Sequence, residues 1–248
     1  LSYTPRVAGP ATAHISMGNY DSDDFHFTVS DEVAVKAVQL GAATTTSNFV
    51  PFYWSFADDA TGAFSDFYYT PALLEESGIK AGSKIYTIDY VGTLNYDNGI
   101  TKLTATAWVG LEDADAEWNV GDTEGMTEVS IYDNEAVTLE STVETAINLP
   151  EPIVYDGTSR LRVATFINAN GKFATVNYGV DERGFGRYGY GSNKNRGDGK
   201  GAPVATVLID TQNHLTGCIT KGAEPVADAT VTLVADDVIY SAQTDAEG

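Results

Sequence analysis

Cysteine, histidine and long apolar runs are the scarcest features of the sequence. One cysteine excludes an intrachain disulfide and a cysteine-rich zinc site, and three scattered histidines do not suggest a catalytic triad. Neither H-E-x-x-H nor G-x-S-x-G occurs. No apolar run approaches the roughly 20 residues of a membrane helix. These absences predict no membrane insertion and no catalytic activity, although the many carboxylates keep a two-carboxylate glycosidase mechanism open.

Basic residues are also few. The 248 residues hold 14 Lys and Arg against 35 Asp and Glu, which gives a net charge of −21. Such a surface repels phosphate backbones and anionic membranes, so we predict that the protein does not bind nucleic acid. The same acidity suits an extracellular or outer cell-surface protein that must stay soluble. We therefore predict that location.

Helical periodicity is nearly absent, and short alternating runs rich in Thr, Val and Tyr predict an all-β protein. One short helix is predicted over residues 71–77, between Pro71 and the stop at Gly78. The spacing of strands and turns favours an antiparallel β-sandwich of jelly-roll type. The strand candidates are residues 84–91, 102–109, 127–132, 136–140, 160–167, 173–178 and 204–210.

The pattern of residues along the chain changes at residues 210–214, and this change predicts a domain boundary. Residues 1–212 form the predicted sandwich module, in which residues 1–36 either open the sandwich or make a separate N-terminal segment. Residues 213–248 show a compact strand, turn, strand, strand pattern, but are fewer than the roughly 40 residues that usually fold unaided. We expect them to be the first strands of a second, small β-sandwich; the alternative is that they pack on the first domain.

The C-terminal segment resembles the carboxypeptidase regulatory-like family. The resemblance lies in residues 215–220 (LTGCIT), residues 224–233 (EPVADATVTL) and the closing TDAEG of residues 244–248. In that family a first strand ends in a turn, followed by a proline, a pair of small residues and a second strand. The resemblance implies a transthyretin-like β-sandwich of which residues 213–248 supply the first half.

Residues 37–212 resemble a β-sandwich module of large secreted and surface proteins of anaerobic gut-type bacteria. The resemblance rests on the passage from residue 44 to 53 with its Pro-Phe-Tyr end, on Tyr-Thr-Pro at 69–71, and on Tyr-Asp-Gly at 155–157 before the strand 161–167. It implies a non-catalytic adhesion or substrate-binding role. Residues 183–201, which we call the basic segment, depart from it by their length and glycine content.

The basic segment is the most distinctive local feature, because it holds five of the 14 cations in an acidic chain. Its tyrosines offer flat faces to sugar rings, and its arginines can bind carboxylates of an acidic glycan or partner. The other interpretation is a long hairpin whose cations pair with the protein's own carboxylates. The candidate ligand-binding residues here are Arg183, Arg187, Tyr188, Tyr190 and Arg196.

A run of aromatic residues between positions 49 and 69 gives two further candidates, Tyr53 and Trp54. If they faced solvent they would form a carbohydrate platform rimmed by carboxylates. The alternative is that they fill the core of the sandwich.

Two acidic runs could bind calcium, which takes six to eight oxygen ligands. The first contains Asp21, Asp23 and Asp24, and the second spans residues 113–117. Neither follows the EF-hand spacing, so solvated turns are the alternative. The sequence requires no cofactor, and Ca²⁺ is the one ion for which it offers ligands.

These observations favour a non-catalytic extracellular module that binds a glycan or a host or matrix protein within a larger secreted bacterial protein. One alternative is a structural stalk or assembly module, which buried aromatic residues together with contacts between chains made by the basic segment would favour. The other is a fragment of a secreted glycoside hydrolase or peptidase, which a deep cleft with two opposed carboxylates would favour.

Overall fold

The alternating runs of the sequence form antiparallel strands. The computed structural model describes residues 9–14, 16–17, 20–21, 25–29, 35–117, 119–191, 193–199, 201–210, 220–221, 224–225, 227, 230–235 and 238–243. Their strands are β1 (Gly9–His14), β2 (Ser16–Met17), β3 (Tyr20–Asp21), β4 (Phe25–Val29), β5 (Val35–Leu40), β6 (Thr45–Ser47), β7 (Ala63–Tyr69), β8 (Lys84–Asp97), β9 (Lys102–Glu112), β10 (Thr127–Ala136), β11 (Thr142–Val154), β12 (Arg160–Asn168), β13 (Ala174–Asp181), β14 (Phe185–Tyr190), β15 (Asn193–Gly199), β16 (Ala202–Pro203), β17 (Ala205–Asp210), β18 (Thr220–Lys221), β19 (Glu224–Pro225), β20 (Thr230–Ala235) and β21 (Val238–Gln243).

The chain divides into two units, one of residues 1–35 with 211–248 and the other of residues 36–210. The first unit contains a four-stranded sheet in the order β21-β20-β1-β4 and the short pairs β2-β3 and β18-β19. Strand β1 pairs antiparallel with β20, with Ala13 opposite Leu233. The sequence interpretation treated residues 1–36 and 213–248 as separate stretches and did not anticipate this pairing.

The second unit is a jelly roll. Strands β6 to β13 form two four-stranded antiparallel sheets, in the orders β7-β12-β9-β10 and β6-β13-β8-β11. The chain changes sheet at every connection except that between β9 and β10, so early and late strands interleave as in a jelly roll. The hairpin β14-β15 extends the first sheet, and β5, β16 and β17 extend the second. The predicted all-β sandwich of jelly-roll type is confirmed.

The inner faces of the two sheets form an aromatic core. Tyr69, Tyr90 and Tyr178 are fully buried with Phe52, Trp54 and Phe67. Buried hydroxyl and indole groups need hydrogen-bond partners, and these find them. The Trp54 Nε1–H donates to the Tyr178 hydroxyl at 3.0 Å, and the Tyr69 hydroxyl donates to the Pro203 carbonyl at 2.6 Å.

The structure confirms the predicted short helix but not one of the predicted strands. Helix α1 spans Pro71–Glu76, and the Thr70 hydroxyl caps it by accepting from the Leu73 N–H, as the position of Pro71 predicts. Residues 137–140 are not a strand, and the prediction of residues 136–140 was wrong; the long strand begins at Thr142. The basic segment contains the hairpin β14-β15 of the first sheet, as its second interpretation predicts.

The turn into β7 requires glycine at position 62. Gly62 has a φ of +76°, and a Cβ there would lie 2.2 Å from Phe166 Cε2. Gly99 has a φ of +94° with no atom within 4 Å of a Cβ. We expect Gly99→Ala to lower the free energy of unfolding by about 1–2 kcal/mol, for the left-handed backbone alone. We expect Gly62→Ala to lower the free energy of unfolding by roughly 1–3 kcal/mol more than this, because the added methyl group also overpacks against Phe166. Urea denaturation of both variants measures the difference, and equal losses would contradict the steric account.

Candidate functional site

The outer face of the first sheet carries the most unusual side chains of the described residues. Strand β7 alternates, with Phe67 and Tyr69 in the core and Phe64, Asp66 and Tyr68 on the opposite face. Neighbouring strands place their own outward residues beside these. An outward face of a sandwich is normally solvated, but here Asp66, Arg160 and Arg162 are nearly inaccessible. Something other than bulk water must satisfy them.

Four charged side chains satisfy one another there, and we call them the outer-face charge cluster: Asp66, Glu112, Arg160 and Arg162. Arg162 donates from Nε to Asp66 Oδ1 at 2.9 Å and from Nη2 to Asp66 Oδ2 at 2.7 Å, a bidentate pair. Glu112 bridges the two arginines, because its Oε1 lies 3.2 Å from Arg162 Nη1 and its Oε2 lies 2.8 Å from Arg160 Nε. Two positive and two negative charges thus balance by count.

The cluster keeps its charges despite burial. Burial on its own would lower the pKa of Arg162, but hydrogen bonds and charges from Asp66 and Glu112 outweigh it and raise that pKa above its ordinary value. The guanidinium of Arg160 also lies over the Tyr68 ring, 4.5 Å from its centroid. Charges taken out of water in this way are stable only as a complete set.

The cluster also fastens the connection between β9 and β10, residues 113–126, which we call the β9-β10 loop. The Gly121 N–H donates to Asp66 Oδ2 at 3.1 Å. In the other direction, Arg162 Nη2 donates to the Asn119 carbonyl at 3.0 Å and Arg160 Nη2 to the Ala116 carbonyl at 3.0 Å. A loop that would otherwise be free is therefore held against the sheet by charged groups of the sheet itself.

A small cleft lies where this loop meets the sheet, and we call it the indole cleft. Its volume is about 100 Å³, and its lining includes Phe64, Trp108 and Ala164 from the sheet and Gly121 and Thr123 from the β9-β10 loop. No titratable side chain is among the described residues that line it. Trp108 lies opposite Ala164 on β12 and opposite Glu128 on β10.

The orientation of the Trp108 indole is fixed by a hydrogen bond. Its Nε1–H donates to Glu128 Oε2 at 3.0 Å, and the residue is only half-buried. A ring held in one plane beside an exposed carboxylate offers an apolar face and a hydrogen-bond acceptor to the same ligand. The arrangement can bind a small amphipathic group, and the described residues of its lining include no His, Asp, Glu or Lys that could act as a general base.

The structure separates the candidates of the basic segment. Residues Tyr188 and Tyr190 lie on the inner side of β14, opposite Ser65 and Ala63 of β7, whereas Arg187 lies on the outer side, opposite Asp66. Their rings stack on other rings, Tyr188 on Phe49 at 4.1 Å and Tyr190 on Phe56 at 3.8 Å between centroids. The predicted set therefore does not form one ligand face.

The arginines of the basic segment contact the protein's own groups. Arg183 donates to Asp181 and Glu76, at 2.7 and 2.5 Å, and Arg187 Nε lies 3.3 Å from Asp198 Oδ1. Arg196 lies over the Tyr190 ring, 3.8 Å from its centroid. These contacts match the interpretation of a hairpin whose cations pair within the chain.

The two aromatic candidates lie in the core. Tyr53 is 5% exposed and Trp54 is 2% exposed. Burial, followed by the neighbouring Tyr188 and Tyr190, raises the pKa of Tyr53. Neither ring is available as a carbohydrate platform, because each is covered by the sandwich.

The first calcium candidate lies outside what the structure describes, since only the backbone of Asp21 is placed and Asp23 and Asp24 are not among the described residues. In the second run, Asp113 Oδ1 accepts from the Asp115 N–H at 3.0 Å, which is a solvated turn. Among the described residues no group of three His, Cys, Asp or Glu is arranged to hold a metal ion.

Sequence reasoning missed the charge cluster and Trp108. Part of the signal was present, because Arg160 and Arg162 lie two residues apart in a predicted strand that is otherwise mainly apolar, and Asp66 lies within an aromatic run. Charged residues are seldom fully buried unless they are paired. Charges at these positions could have indicated an ion-pair network, but not which residues pair.

No protein-family profile and no curated protein matches the chain. Among solved structures, the chain is similar to the D431N mutant VP2 protein of infectious bursal disease virus, with 12% identity, a TM-score of 0.29, and coverage of 82% of this chain and 41% of that one. It is also similar to a structure of the Gx strain of that virus, with 11% identity, a TM-score of 0.30, and coverage of 86% and 47%. The chain thus spans less than half of each viral chain. Similarities at these scores define neither a shared fold nor a shared function. Among the described residues, no helix is long and apolar enough to cross a membrane.

We expect Asp66→Ala to lower the free energy of unfolding by about 3–5 kcal/mol, because it leaves the buried Arg162 charge without its bidentate partner. Asp198→Ala is the matched control, since the Asp198 side chain is 66% exposed beside Arg187. That surface change should lower the free energy by less than about 1 kcal/mol. Chemical denaturation compares the two, and losses of equal size would contradict the role given to the cluster.

The Asp181 carboxylate makes stability depend on pH. Hydrogen bonds from the Arg183 side chain, then those from the Ala42 and Arg183 N–H groups, lower its pKa to about 2. An Asp in the unfolded chain titrates near about 4. The stabilisation is therefore fully present above about pH 4 and is lost as pH falls towards 2. We expect Asp181→Asn to lower the melting temperature by a few degrees at pH 7, with the gap to the parent narrowing below pH 4. Glu182→Gln, at an exposed neighbour, is the control, and a gap that persists at pH 2 would contradict this assignment.

Proposed function

We propose that residues 36–210 are a non-catalytic carbohydrate-binding module of an extracellular or cell-surface bacterial protein, with the indole cleft as its site. The observation that carries the proposal is the fixed indole of Trp108 beside a cleft whose loop wall is anchored by buried charges. Binding sites are most effective when their groups are held in place before the ligand arrives, because less freedom is then lost on binding.

Carbohydrate suits the chemistry around Trp108. The apolar C–H face of a sugar ring can lie on the indole, while hydroxyl groups at its edge need hydrogen-bond partners. Glu128 supplies a carboxylate at the indole edge, and Thr106 and Ser130 stand opposite each other on the same face of β9 and β10. The surface therefore combines one flat apolar element with several polar ones, as a sugar does.

A binding role is favoured over catalysis by the state of the nearby charges. Asp66 and Glu112, the two carboxylates of the outer-face charge cluster, are already engaged by Arg160 and Arg162, and the exposed Glu128 at the indole edge has no second carboxylate beside it among the described lining residues. A general acid or base must be able to exchange a proton with the substrate, which a carboxylate saturated by arginine does poorly. Two opposed free carboxylates, which a glycosidase would use, are not among the described lining residues.

The test is a glycan array followed by isothermal titration calorimetry with the best-bound oligosaccharide, comparing the parent chain with Trp108→Ala and Tyr96→Ala. Tyr96 is 53% exposed and is not part of the cleft, so it controls for loss of any surface aromatic. We expect Trp108→Ala to weaken binding about tenfold, which corresponds to about 1.4 kcal/mol, and Tyr96→Ala to have little effect. Absence of binding to any array glycan would overturn the proposal and favour a protein ligand or a structural role.

A further inference from the structure

The volume of the indole cleft limits what can enter it. At about 100 Å³ it is smaller than a cavity of roughly 150 Å³ that can hold a benzene molecule. A whole sugar ring is larger than this and must remain outside, against Trp108. Only a branch of a few heavy atoms projecting from such a ring can fill the cleft. The branch, rather than the ring, therefore distinguishes one sugar from another at this site.

The lining defines the chemistry of that branch. The sheet side consists of Phe64, Trp108 and Ala164, which favour an apolar end, together with Ser65 and Thr165. The hydroxyls of Ser65 and Thr165 already donate to the Phe49 and Pro51 carbonyls.

The loop side consists of Gly121 and Thr123. The Gly121 N–H already donates to Asp66 Oδ2, so the Gly121 carbonyl and the Thr123 hydroxyl are the polar groups that remain for a ligand on this side. A hydroxymethyl branch has no apolar end to bury, whereas a bare methyl branch leaves the polar side without a partner. A branch that joins a methyl group to an amide satisfies both sides.

Charge excludes the anionic branches. Glu128 lies at the edge of the Trp108 indole, and the chain has a net charge of −21. A carboxylate or sulfate brought to this position would be repelled by both. The balanced charge cluster does not compensate, because Arg160 and Arg162 are already paired with Asp66 and Glu112. Uronic acids and sulfated sugars are therefore disfavoured.

We infer that the indole cleft takes the acetamido group of an N-acetylhexosamine in a neutral glycan, with the sugar ring resting on Trp108. This inference rests on the proposed function and specifies its ligand class. The acetamido methyl group packs against Ala164 and Phe64, and the amide faces Thr123 and the Gly121 backbone. Glu128 accepts a hydrogen bond from a ring hydroxyl at the mouth of the cleft.

Matched sugars that differ only in this branch test the inference in the full chain. Isothermal titration calorimetry compares N,N′,N″-triacetylchitotriose with cellotriose, and N-acetylgalactosamine with galactose. We expect the acetylated member of at least one pair to bind about tenfold more tightly. Ala164→Leu fills the cleft from the sheet, and we expect the ratio of the two affinities to fall to about one. Thr123→Leu fills the cleft from the half-exposed loop side. It replaces Ala164→Leu in the experiment if the Ala164→Leu variant does not fold. Tyr96→Ala should keep the parent ratio.

The outcomes distinguish this inference from the proposed function. If both members of each pair bind equally, and Trp108→Ala weakens both, the acetamido inference is overturned while carbohydrate binding stands. Tighter binding of array glycans with 6-deoxy or unsubstituted sugars than of any acetylated one has the same meaning. Preferential binding that survives both filling substitutions also overturns it. If no glycan on the array binds, the proposed function fails and the inference fails with it.

Discussion

The bidentate contact between Arg162 and Asp66 is the interaction on which the outer face of the first sheet depends. It joins two neighbouring strands at a buried position, and Asp66 Oδ2 and Arg162 Nη2 each have a further partner in the β9-β10 loop. A buried charge pair contributes little net stability by itself, because desolvation opposes the attraction. Its consequence here is positional. The β9-β10 loop satisfies polar groups of both residues, so buried charges of the sheet hold the loop wall of the indole cleft.

The jelly roll makes this arrangement possible. Because β7, β12 and β9 are adjacent in space but distant in sequence, residues as far apart as Asp66, Glu112 and Arg162 reach the same patch of sheet. The register matters equally, since a shift of one residue in any strand would turn its charges into the aromatic core. Turns that demand glycine, such as that at Gly62, hold the register at the start of β7.

The basic segment has a structural part in the same sheet. Its first strand covers the free edge of β7, and its tyrosines close the aromatic core over the segment from Phe49 to Phe56. A concentration of cations in an acidic protein suggested a ligand site, yet Arg183 and Arg187 lie beside carboxylates of the chain itself. Local charge in a sequence does not reveal whether its partner is internal, because internal partners such as Glu76 can lie about a hundred residues away.

The sequence by itself determined the features that depend on near neighbours along the chain. Alternation determined the all-β class, and Pro71 with its preceding Thr70 determined the short helix, because period and capping are local effects. Only the tertiary structure decided which face of each strand is covered and which distant side chains meet. Arg162 and Asp66 are 96 residues apart, and nothing in the sequence around either residue identifies the other as its partner. Trp108 lines a cleft because a loop is held beside it, and the contacts that hold the loop exist only once the strands have been brought together.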